Sequence, residues 1–385
     1  MKRNLLLCTL LSTMFLSSCN EGANSPINSE TSPEEPSTST ELVESSTTQE
    51  STQESSSSEE PSIYDLVDQE FSKDESLLTI DTVELAVNET YNLSYMLKEQ
   101  FKGSDCLVAC QTEGIIESAD TQSIKGLALG TSKVKVVSQG VYDELTVHVK
   151  DDEYMNSHFS TDLGRLAKKS FVVLGDSISD VSVSAYTDKQ DFWCEQLVRK
   201  ADMTMYNYAI SGSTTGRCHK QVTNIGSYAL EIMGTTRIQN GLVKADIKKS
   251  DFVFIYFGNN DFTFKTELGE IGDIDGTTYW TNESFRGAYS FILNKIKSYN
   301  PNCRVVCLGL STSTWNYDAS IKTENYAKTR AELSLVVGEI AEATNNKFIN
   351  LHGLWATSEM ATYCRDGIHP LTAGYDLIVE KILNS

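Results

Sequence analysis

The chain has 385 residues and a formal net charge of −21, with 53 acidic side chains against 32 Lys and Arg. This length is enough for two or three domains. The acidic balance argues against a nucleic-acid-binding protein, because such proteins carry a basic patch or stripe, and no nucleic-acid partner is expected.

The N-terminus has the pattern of a secretory signal. Lys2 and Arg3 precede a mostly apolar run, Leu5–Leu16, which is too short to span a membrane as a helix. The run ends in LSSC at Leu16–Cys19, which resembles a bacterial lipobox. The resemblance implies a lipoprotein signal over residues 1–19, with diacylglycerol carried by Cys19; the alternative is ordinary signal cleavage beside an incidental cysteine. A lipid anchor would hold the protein on the extracellular face of a bacterial membrane without spanning it.

Residues 20–62 are rich in Ser, Thr, Glu and Pro, and they contain ten Glu but no Lys or Arg. A segment of this composition has too little apolar surface to form a core. It is therefore predicted to be a disordered linker that separates the folded part of the chain from the membrane.

Residues 63–150 show the alternation of apolar and polar side chains that is typical of half-buried strands. The clearest runs are Thr79–Leu85, Lys133–Ser138 and Glu144–Val149. Gln139-Gly140, between the last two runs, suits a hairpin turn, and the strand count favours a small β-sandwich. The stretch Gly126–Thr131, followed by two strands, resembles the bacterial Ig-like group 2 domain, a surface module. This all-β domain is interpreted as a spacer or a carbohydrate-adhesion module.

Residues 151–169 form a charged connector, and from Ser170 the patterns of strand and helix alternate. Such alternation indicates an α/β domain whose mainly parallel sheet is covered on both faces. The predicted strands are Ser170–Leu174, Thr204–Ala209, Asp251–Phe257, Arg304–Leu310 and Lys347–Leu351. The predicted helices are Asp191–Ala201, Ser284–Tyr299, Thr323–Thr344 and Thr372–Leu383.

Four stretches with polar, chemically active side chains fall at the ends of these elements. In chain order they are Gly175–Ser179, Asn207–Thr215, Gly258–Asp261 and Asp366–Pro370. Ligands of open α/β sheets bind outside the carboxyl ends of the strands, so these stretches are expected to meet there. Taken alone, Asp176 and Ser177 could simply cap a helix.

The four stretches together resemble the blocks of the SGNH (GDSL) hydrolase family, named for a catalytic Ser, Gly, Asn and His. The resemblance covers residues 170–385. It implies a three-layer, flavodoxin-like domain with a parallel sheet, an esterase or lipase activity on an ester substrate, and chemistry that needs no metal or cofactor. The sequence itself contains no cluster with the ligand spacing of a zinc site.

The resemblance also assigns roles to individual residues. It makes Ser177 the nucleophile, His369 the base and Asp366 the carboxylate that orients the base. The oxyanion hole is assigned to the backbone N–H groups of Ser177 and Gly212 and to the side-chain amide of Asn260. The residue types agree with these roles, because a serine hydroxyl needs an adjacent base and the imidazole needs a partner that fixes its tautomer.

Other residues remain candidates for the same roles. His219 and His352 are rivals to His369, and Asp261 is a rival acid that is better interpreted as a brace for its loop, as is Asp176. Four aromatic side chains in loops after strand ends could stack on a sugar ring or could simply pack. They are Tyr279, Trp280, Trp315 and Tyr317.

The sequence therefore predicts a lipid-anchored serine ester hydrolase that works through an acyl-enzyme. The surface location and the adhesion-like module favour a carbohydrate ester, such as an O-acetyl group on a polysaccharide or a cell-wall glycan. The alternatives are a lipase or short-chain esterase of the same fold, and a catalytically inactive lipoprotein that binds at the surface.

Overall fold

The computed structural model describes residues 62–73, 75–112, 114–182, 191–215, 242–270, 284–315 and 324–385. The chain divides into two units, Met1–Glu70 and Phe71–Ser385, and helix α1 (Ile63–Glu70) belongs to the first. Cys19 and the segments predicted as signal and linker lie outside the described residues, apart from the last linker residue. Within the ranges described, no helix is both long enough and apolar enough to cross a membrane.

Residues 82–150 form an all-β part built from two sheets. The seven strands are β1 (Thr82–Ala86), β2 (Thr90–Asn92), β3 (Leu107–Cys110), β4 (Ile116–Ser118), β5 (Ser123–Gly126), β6 (Gly130–Ser138) and β7 (Val141–Lys150). One sheet has the order β1-β7-β6-β3 with β1 parallel to β7, and the other is the antiparallel sheet β2-β5-β4. Apolar side chains from both sheets, among them Tyr91 and Leu145, share one core.

The hairpin predicted at Gln139-Gly140 is confirmed. Ser138 lies opposite Val141 in the antiparallel register of β6 and β7. Both turn residues have positive φ, 49° and 86°, as a two-residue turn that follows the strand twist requires. The three predicted strand runs in this part correspond to β1, β6 and β7, whereas the Ig-like assignment stays a prediction.

The connector is more ordered than its charged sequence indicates, because it contains two short helices. They are α2 (Asp152–His158) and α3 (Leu163–Leu166). The side chain of Asp151 caps the first by accepting the N–H of Tyr154, and Asp162 caps the second by accepting the N–H of Arg165. Short carboxylates in these positions satisfy N–H groups that have no partner inside the helix.

The C-terminal part contains a five-stranded parallel sheet, as predicted. Its strands are β8 (Ser170–Gly175), β9 (Thr204–Asn207), β10 (Phe252–Tyr256), β11 (Arg304–Leu308) and β12 (Lys347–Ile349). The order β12-β11-β10-β8-β9 is the flavodoxin-like arrangement, in which the direction of winding reverses between β8 and β10. Ligands of such folds bind in the crevice at this reversal.

Helices cover both faces of the sheet and complete the predicted three layers. They are α4 (Trp193–Ala201), α5 (Leu242–Lys249), α6 (Asn259–Thr263), α7 (Phe285–Tyr299), α8 (Arg330–Ala343), α9 (Met360–Tyr363) and α10 (Thr372–Leu383). Phe171 and Val173 of β8 pack in one core with α4 and α10, and Val172 and Leu174 pack in a second core with α5, α7 and α8. The alternation follows from the two-residue repeat of a strand.

One predicted helix starts in the wrong place. The sequence places a helix over Thr323–Thr344, but α8 begins at Arg330. Thr329 supplies the physical reason, because its side chain accepts the N–H of Glu332 and caps the helix there.

Candidate active site

Ser177 lies in a tight turn directly after β8. The carboxylate of Asp176 accepts the N–H of Ile178 at 3.0 Å, and the carbonyl of Asp176 accepts the N–H of Ser179 at 3.0 Å. These bonds close the turn around Ser177, which is 8% exposed. The turn therefore holds the hydroxyl at the carboxyl end of the sheet with little freedom to move.

His369 is held by the carboxylate of Asp366, three residues earlier in the loop before α10. Oδ1 of Asp366 accepts the N–H groups of Ile368 at 3.2 Å and of His369 at 2.9 Å, which folds the loop back on itself. Oδ2 accepts a hydrogen bond from Nδ1 of the His369 ring at 2.8 Å. One carboxylate thus shapes the loop and also orients the imidazole.

The structure brings Ser177, His369 and Asp366 together in one hydrogen-bonded row. Because Nδ1 of His369 carries the hydrogen that it donates to Asp366, Nε2 is an acceptor. The Ser177 hydroxyl donates to Nε2 at 2.9 Å, across 192 residues of sequence. This is the geometry in which an imidazole can withdraw the proton of a serine hydroxyl.

The Asp366 carboxyl is set to remain ionised near neutral pH. Partial burial raises its pKa, but hydrogen bonds from the backbone and ring of His369, the attraction to that ring and the N–H of Ile368 together hold the pKa below its usual value. An ionised carboxylate in this position can stabilise a protonated imidazole.

Gly212 and Asn260 come to the same end of the sheet, after β9 and β10. Gly212 has a φ of 82°, a backbone conformation that favours glycine. The Asn260 amide donates to the carbonyl of Ser213 at 2.9 Å, which leaves its second N–H as a donor. In the described part of the chain, the backbone N–H groups of Ser177 and Gly212 donate to no protein acceptor.

The loop that carries Gly212 is braced on both sides by carboxylates. Asp180 accepts the N–H of Ser211 at 2.8 Å, directly before Gly212. Asp261 accepts the N–H of Thr215 at 3.0 Å and its hydroxyl at 2.8 Å, which confirms the interpretation of Asp261 as a brace. No sequence motif marks Asp180 for this role, and the one signal is its place just after the Ser177 turn.

His352, proposed as a rival base, is not the residue that pairs with Ser177. It follows β12, its side chain is exposed, and its backbone N–H donates to Asn350 at 2.9 Å. Partial burial and the charge of Arg330 lower the pKa of its ring. His219, the other rival, lies outside the described residues.

Trp315 lies at the rim of the site. Its indole N–H donates to the carbonyl of Asp366 at 2.7 Å, and its ring meets the His369 ring edge-on, with 6.2 Å between centroids and 81° between planes. The side chain is 43% exposed, so one part of the indole is fixed to the His369 loop while the rest faces solvent. Tyr279, Trp280 and Tyr317 lie outside the described residues.

The arrangement fits nucleophilic chemistry at an acyl carbon. A nucleophile, a base that reaches it and a carboxylate that orients the base lie in a row. Gly212 and Asn260 follow strands that end at the same edge of the sheet. Across the residues that the structure describes, no group of three or more His, Cys, Asp or Glu side chains is placed to hold a metal ion.

Several solved structures are similar to this chain. A protein from Lactobacillus plantarum is 19% identical, with a TM-score of 0.43, over 56% of this chain and 95% of that one. The lipase/acylhydrolase from Enterococcus faecalis is 20% identical, with a TM-score of 0.36, over 56% and 93%. An acetyl xylan esterase, AlAXEase, is 16% identical, with a TM-score of 0.35, over 55% and 97%. No curated protein is significantly similar to the chain.

The model of the GDSL-like Lipase/Acylhydrolase family matches residues 173–377, which is more than half of the chain. The match begins within β8, before Ser177, and ends within α10, after His369, so it spans the strands and loops that build the site. The chain belongs to the GDSL-like lipase/acylhydrolase family.

Proposed function

We propose that the protein is a serine ester hydrolase that acts through a covalent acyl-enzyme on Ser177. The family implies a hydrolase of the esterase or lipase type. The observation that carries the residue assignment is the row of two hydrogen bonds, 2.9 Å from Ser177 to His369 and 2.8 Å from His369 to Asp366.

In the first half-reaction, Oγ of Ser177 forms a bond to the ester carbonyl carbon while its proton moves to Nε2 of His369. The π electrons of the carbonyl move onto its oxygen, which becomes an oxyanion. Asp366 stabilises the imidazolium through the hydrogen bond to Nδ1. The N–H groups of Ser177 and Gly212 and the amide of Asn260 are the proposed donors to the oxyanion, and one such donor is typically worth about 10²–10³ in turnover.

The intermediate then collapses and breaks the bond between the carbonyl carbon and the alcohol oxygen. His369 gives its proton to the departing alcohol, and the acyl group stays on Ser177. A water molecule attacks the acyl carbon and gives a proton to Nε2, which returns it to Ser177 as the acid is released. Water is the only co-reactant.

Hydrolysis of p-nitrophenyl acetate by purified protein tests this proposal. Ser177→Ala and His369→Ala are expected to lower kcat by at least about 10³-fold, because triad members act as a unit. Ser298→Ala is the control, since Ser298 is an exposed serine near the C-terminal end of α7 whose hydroxyl donates to the backbone carbonyl of Lys295. An inactive wild type, or an active Ser177→Ala protein, would contradict the proposal.

The proposed substrate class is an O-acyl ester of carbohydrate, in particular an O-acetyl ester. Support comes from the exposed indole of Trp315 beside His369, which offers a flat apolar surface to a sugar ring. Trp315→Ala is expected to raise KM for an acetylated glycan several-fold and to change KM for p-nitrophenyl acetate little. A preference for long acyl chains over acetyl groups would instead favour a lipase.

We also propose that the chain is a surface lipoprotein, with Cys19 as the lipid-bearing residue, residues 20–62 as linker and the all-β part as an Ig-like module. Support comes from the LSSC motif after an apolar run. In bacterial cells, Cys19→Ala is expected to release the protein into the medium, whereas Cys8→Ala, inside the signal, should leave it on the membrane. Membrane retention of the Cys19→Ala protein would contradict the anchor.

A further inference from the structure

A buried polar chain runs beneath Ser177 and includes no member of the proposed triad. The guanidinium of Arg330 donates from Nη1 to Oδ1 of Asn259 at 2.7 Å. The amide of Asn259 donates from Nδ2 to Oδ2 of Asp176 at 3.3 Å. The three side chains are 5%, 1% and 0% exposed, respectively. This row of hydrogen bonds thus joins the start of α8 to the turns that follow β10 and β8.

Both turns that this chain reaches carry groups of the proposed mechanism. Asp176 directly precedes Ser177, and its other carboxylate oxygen holds the N–H of Ile178 on the far side of the serine. Asn259 directly precedes Asn260, the proposed side-chain donor of the oxyanion hole. A shift of either side chain would therefore move an oxyanion donor away from its position.

Packing alone does not account for Arg330. Among the described residues, its Nε and Nη2 atoms have no hydrogen-bond partner although both are buried. The guanidinium lies 4.8 Å from the ring centre of Phe262. Burying a cation with an incomplete set of partners is unfavourable, and an apolar side chain of similar volume would avoid that cost. The positive charge of Arg330 is therefore the feature that calls for a functional explanation.

We propose that Arg330 is a positioning residue of the active site, which acts through Asn259 and Asp176 to hold the nucleophile turn and the oxyanion turn in register. The inference rests on the proposed function, because it concerns groups of that mechanism. Arg330 itself touches neither Ser177 nor His369 in this chain of hydrogen bonds.

The electrostatics of Asp176 agree with this role. Burial raises the pKa of Asp176 to about 6, and the hydrogen bonds from Ile178 and Asn259, with the charges of His369 and Arg330, keep the pKa from rising further. Without the Arg330 charge, the Asp176 carboxyl would be protonated at a higher pH. A neutral carboxyl is a weaker acceptor for the N–H that closes the turn.

Other titratable groups also face this network. Tyr256 of β10 and Tyr375 of α10 interact with the charge of Asp176, and burial raises the pKa of both phenols. Their pKa values lie above 10, so neither group titrates in the range of Asp176. His352 faces Arg330, which helps to lower the pKa of its ring.

The test compares Arg330→Met and Arg330→Lys with the wild type in kcat, KM and the pH profile of kcat/KM on p-nitrophenyl acetate. Arg330→Met is expected to lower kcat about 10²-fold, the effect of a misplaced oxyanion donor, with KM nearly unchanged. It should also move the acidic limb of the profile to higher pH. Arg330→Lys keeps the positive charge, so the acidic limb of its pH profile is expected to lie closer to that of the wild type than the limb of Arg330→Met does.

Arg304→Met is the matched control. Arg304 is similarly buried, at the start of β11 and therefore at the opposite end of the sheet, where its guanidinium contacts Asp152 and Asn156. Its loss is expected to lower stability only, so the pH profile should stay unchanged. In an Asp176→Asn background, Arg330→Met should move the acidic limb less than it does in the wild-type background, since the Asp176 carboxyl no longer titrates.

The outcomes separate this inference from the proposed function. An inactive wild type overturns both. An active wild type, together with an Arg330→Met protein that keeps its kcat and its acidic limb, overturns the inference alone. If Arg330→Met does not fold, Arg330→Lys and Asn259→Ala are used for the test. Asn259→Ala interrupts the row of hydrogen bonds and should also move the acidic limb of the pH profile to higher pH. An acidic limb that does not move in Asn259→Ala overturns the inference.

Discussion

Asp176 and Asp366 lie on either side of the Ser177–His369 pair, and their surroundings move their pKa values in opposite directions. Asp176 is fully buried, and burial raises its pKa to about 6 despite its hydrogen bonds. Asp366 is partly exposed and accepts three hydrogen bonds from Ile368 and His369, which bring its pKa below the usual value. Opposite shifts in neighbouring carboxyl groups are a common mark of functional sites.

Because its pKa is raised, Asp176 should make the stability of the protein depend on pH. The folded state binds this proton more tightly than the unfolded state, so the stabilisation is present below about pH 4 and is lost as pH rises through about 6. Relative to Asp176→Asn, the unfolding free energy of the wild type should therefore fall by up to about 3 kcal/mol between pH 4 and pH 7. Urea denaturation of both proteins at several pH values measures this, and a constant difference would contradict it.

At the residue scale, the sequence predicted pairings that lie close together along the chain or that the family's blocks mark, as they mark Ser177 and His369 across 192 residues. The pairing of Asp366 with His369 follows from their spacing, since a short carboxylate can reach a backbone N–H three residues on. Arg330 lies 71 residues from Asn259, and neither residue carries a pattern that marks the other as its partner. Only the folded structure brings such groups together.

At the scale of elements, the loop after β11 is tied to the loop that carries His369. The hydroxyl of Ser313 and the N–H of Thr314 both donate to the carbonyl of Gly367, at 2.7 and 2.9 Å. The indole of Trp315 donates to the neighbouring carbonyl of Asp366. The position of His369 therefore depends on a loop that belongs to a different strand.

Gly367→Ala tests this dependence. Gly367 has a φ of 88°, and an added Cβ would lie 2.3 Å from the hydroxyl oxygen of Thr314. The Thr314 side chain or its loop must shift away from the His369 loop, so kcat on p-nitrophenyl acetate is expected to fall about 10- to 100-fold, or about 1.4–2.8 kcal/mol in barrier height. Steady-state kinetics measures the effect.

Gly353→Ala is the control for that substitution. Gly353 has a similar φ, 86°, but an added Cβ would have no heavy atom within 4 Å. The backbone strain that alanine causes at positive φ, about 1 kcal/mol, should therefore be similar in both variants, whereas kcat of Gly353→Ala should remain near the wild-type value. Equal losses of kcat in the two variants would show that backbone strain, rather than the contact between the loops, limits activity.

The elements that the sequence predicted best are those with a strong apolar signal. The three central strands β8, β10 and β11 are buried and read as nearly continuous apolar runs, whereas the edge strands β9 and β12 are partly exposed and shorter than predicted. Helix α5 was not predicted. The start of α8 was misplaced because it is fixed by the Thr329 cap and not by the periodicity of apolar residues. Periodicity marks the middle of an element better than its ends.

At the scale of the whole second unit, the all-β part is joined to the connector by a buried ion pair. Arg165 of α3 is 1% exposed and donates to the carboxylate of Glu89 and to the carbonyl of Glu84. Its guanidinium also lies over the rings of Tyr91 and Phe159. A contact of this kind fixes the all-β part against the connector.

Glu89→Gln measures how much the ion pair between Glu89 and Arg165 contributes to the unfolding free energy. The substitution keeps the shape of the side chain but leaves the Arg165 charge buried without its counter-ion, so the unfolding free energy should fall by about 3–5 kcal/mol. The control is Glu144→Gln, which breaks a more exposed ion pair with Lys133 and should cost less than about 1 kcal/mol. Urea denaturation compares the two, and equal losses would contradict a structural role for the buried pair.

The sequence predicted two folded parts but not how they are joined. Glu89 and Arg165 are 76 residues apart, and each is an ordinary charged residue in its own segment. The charged composition of residues 151–169 indicated a connector, whereas the guanidinium of Arg165, one of its charges, is buried in the contact with the all-β part.

A fluorophosphonate probe, with mass-spectrometric mapping of the modified residue, tests whether Ser177 is an activated nucleophile. We expect modification on the peptide that contains Ser177, and we expect it to be retained in Ser298→Ala, strongly slowed in His369→Ala and absent in Ser177→Ala. No modification of the wild type, or equal modification of the Ser177→Ala protein, would contradict this expectation.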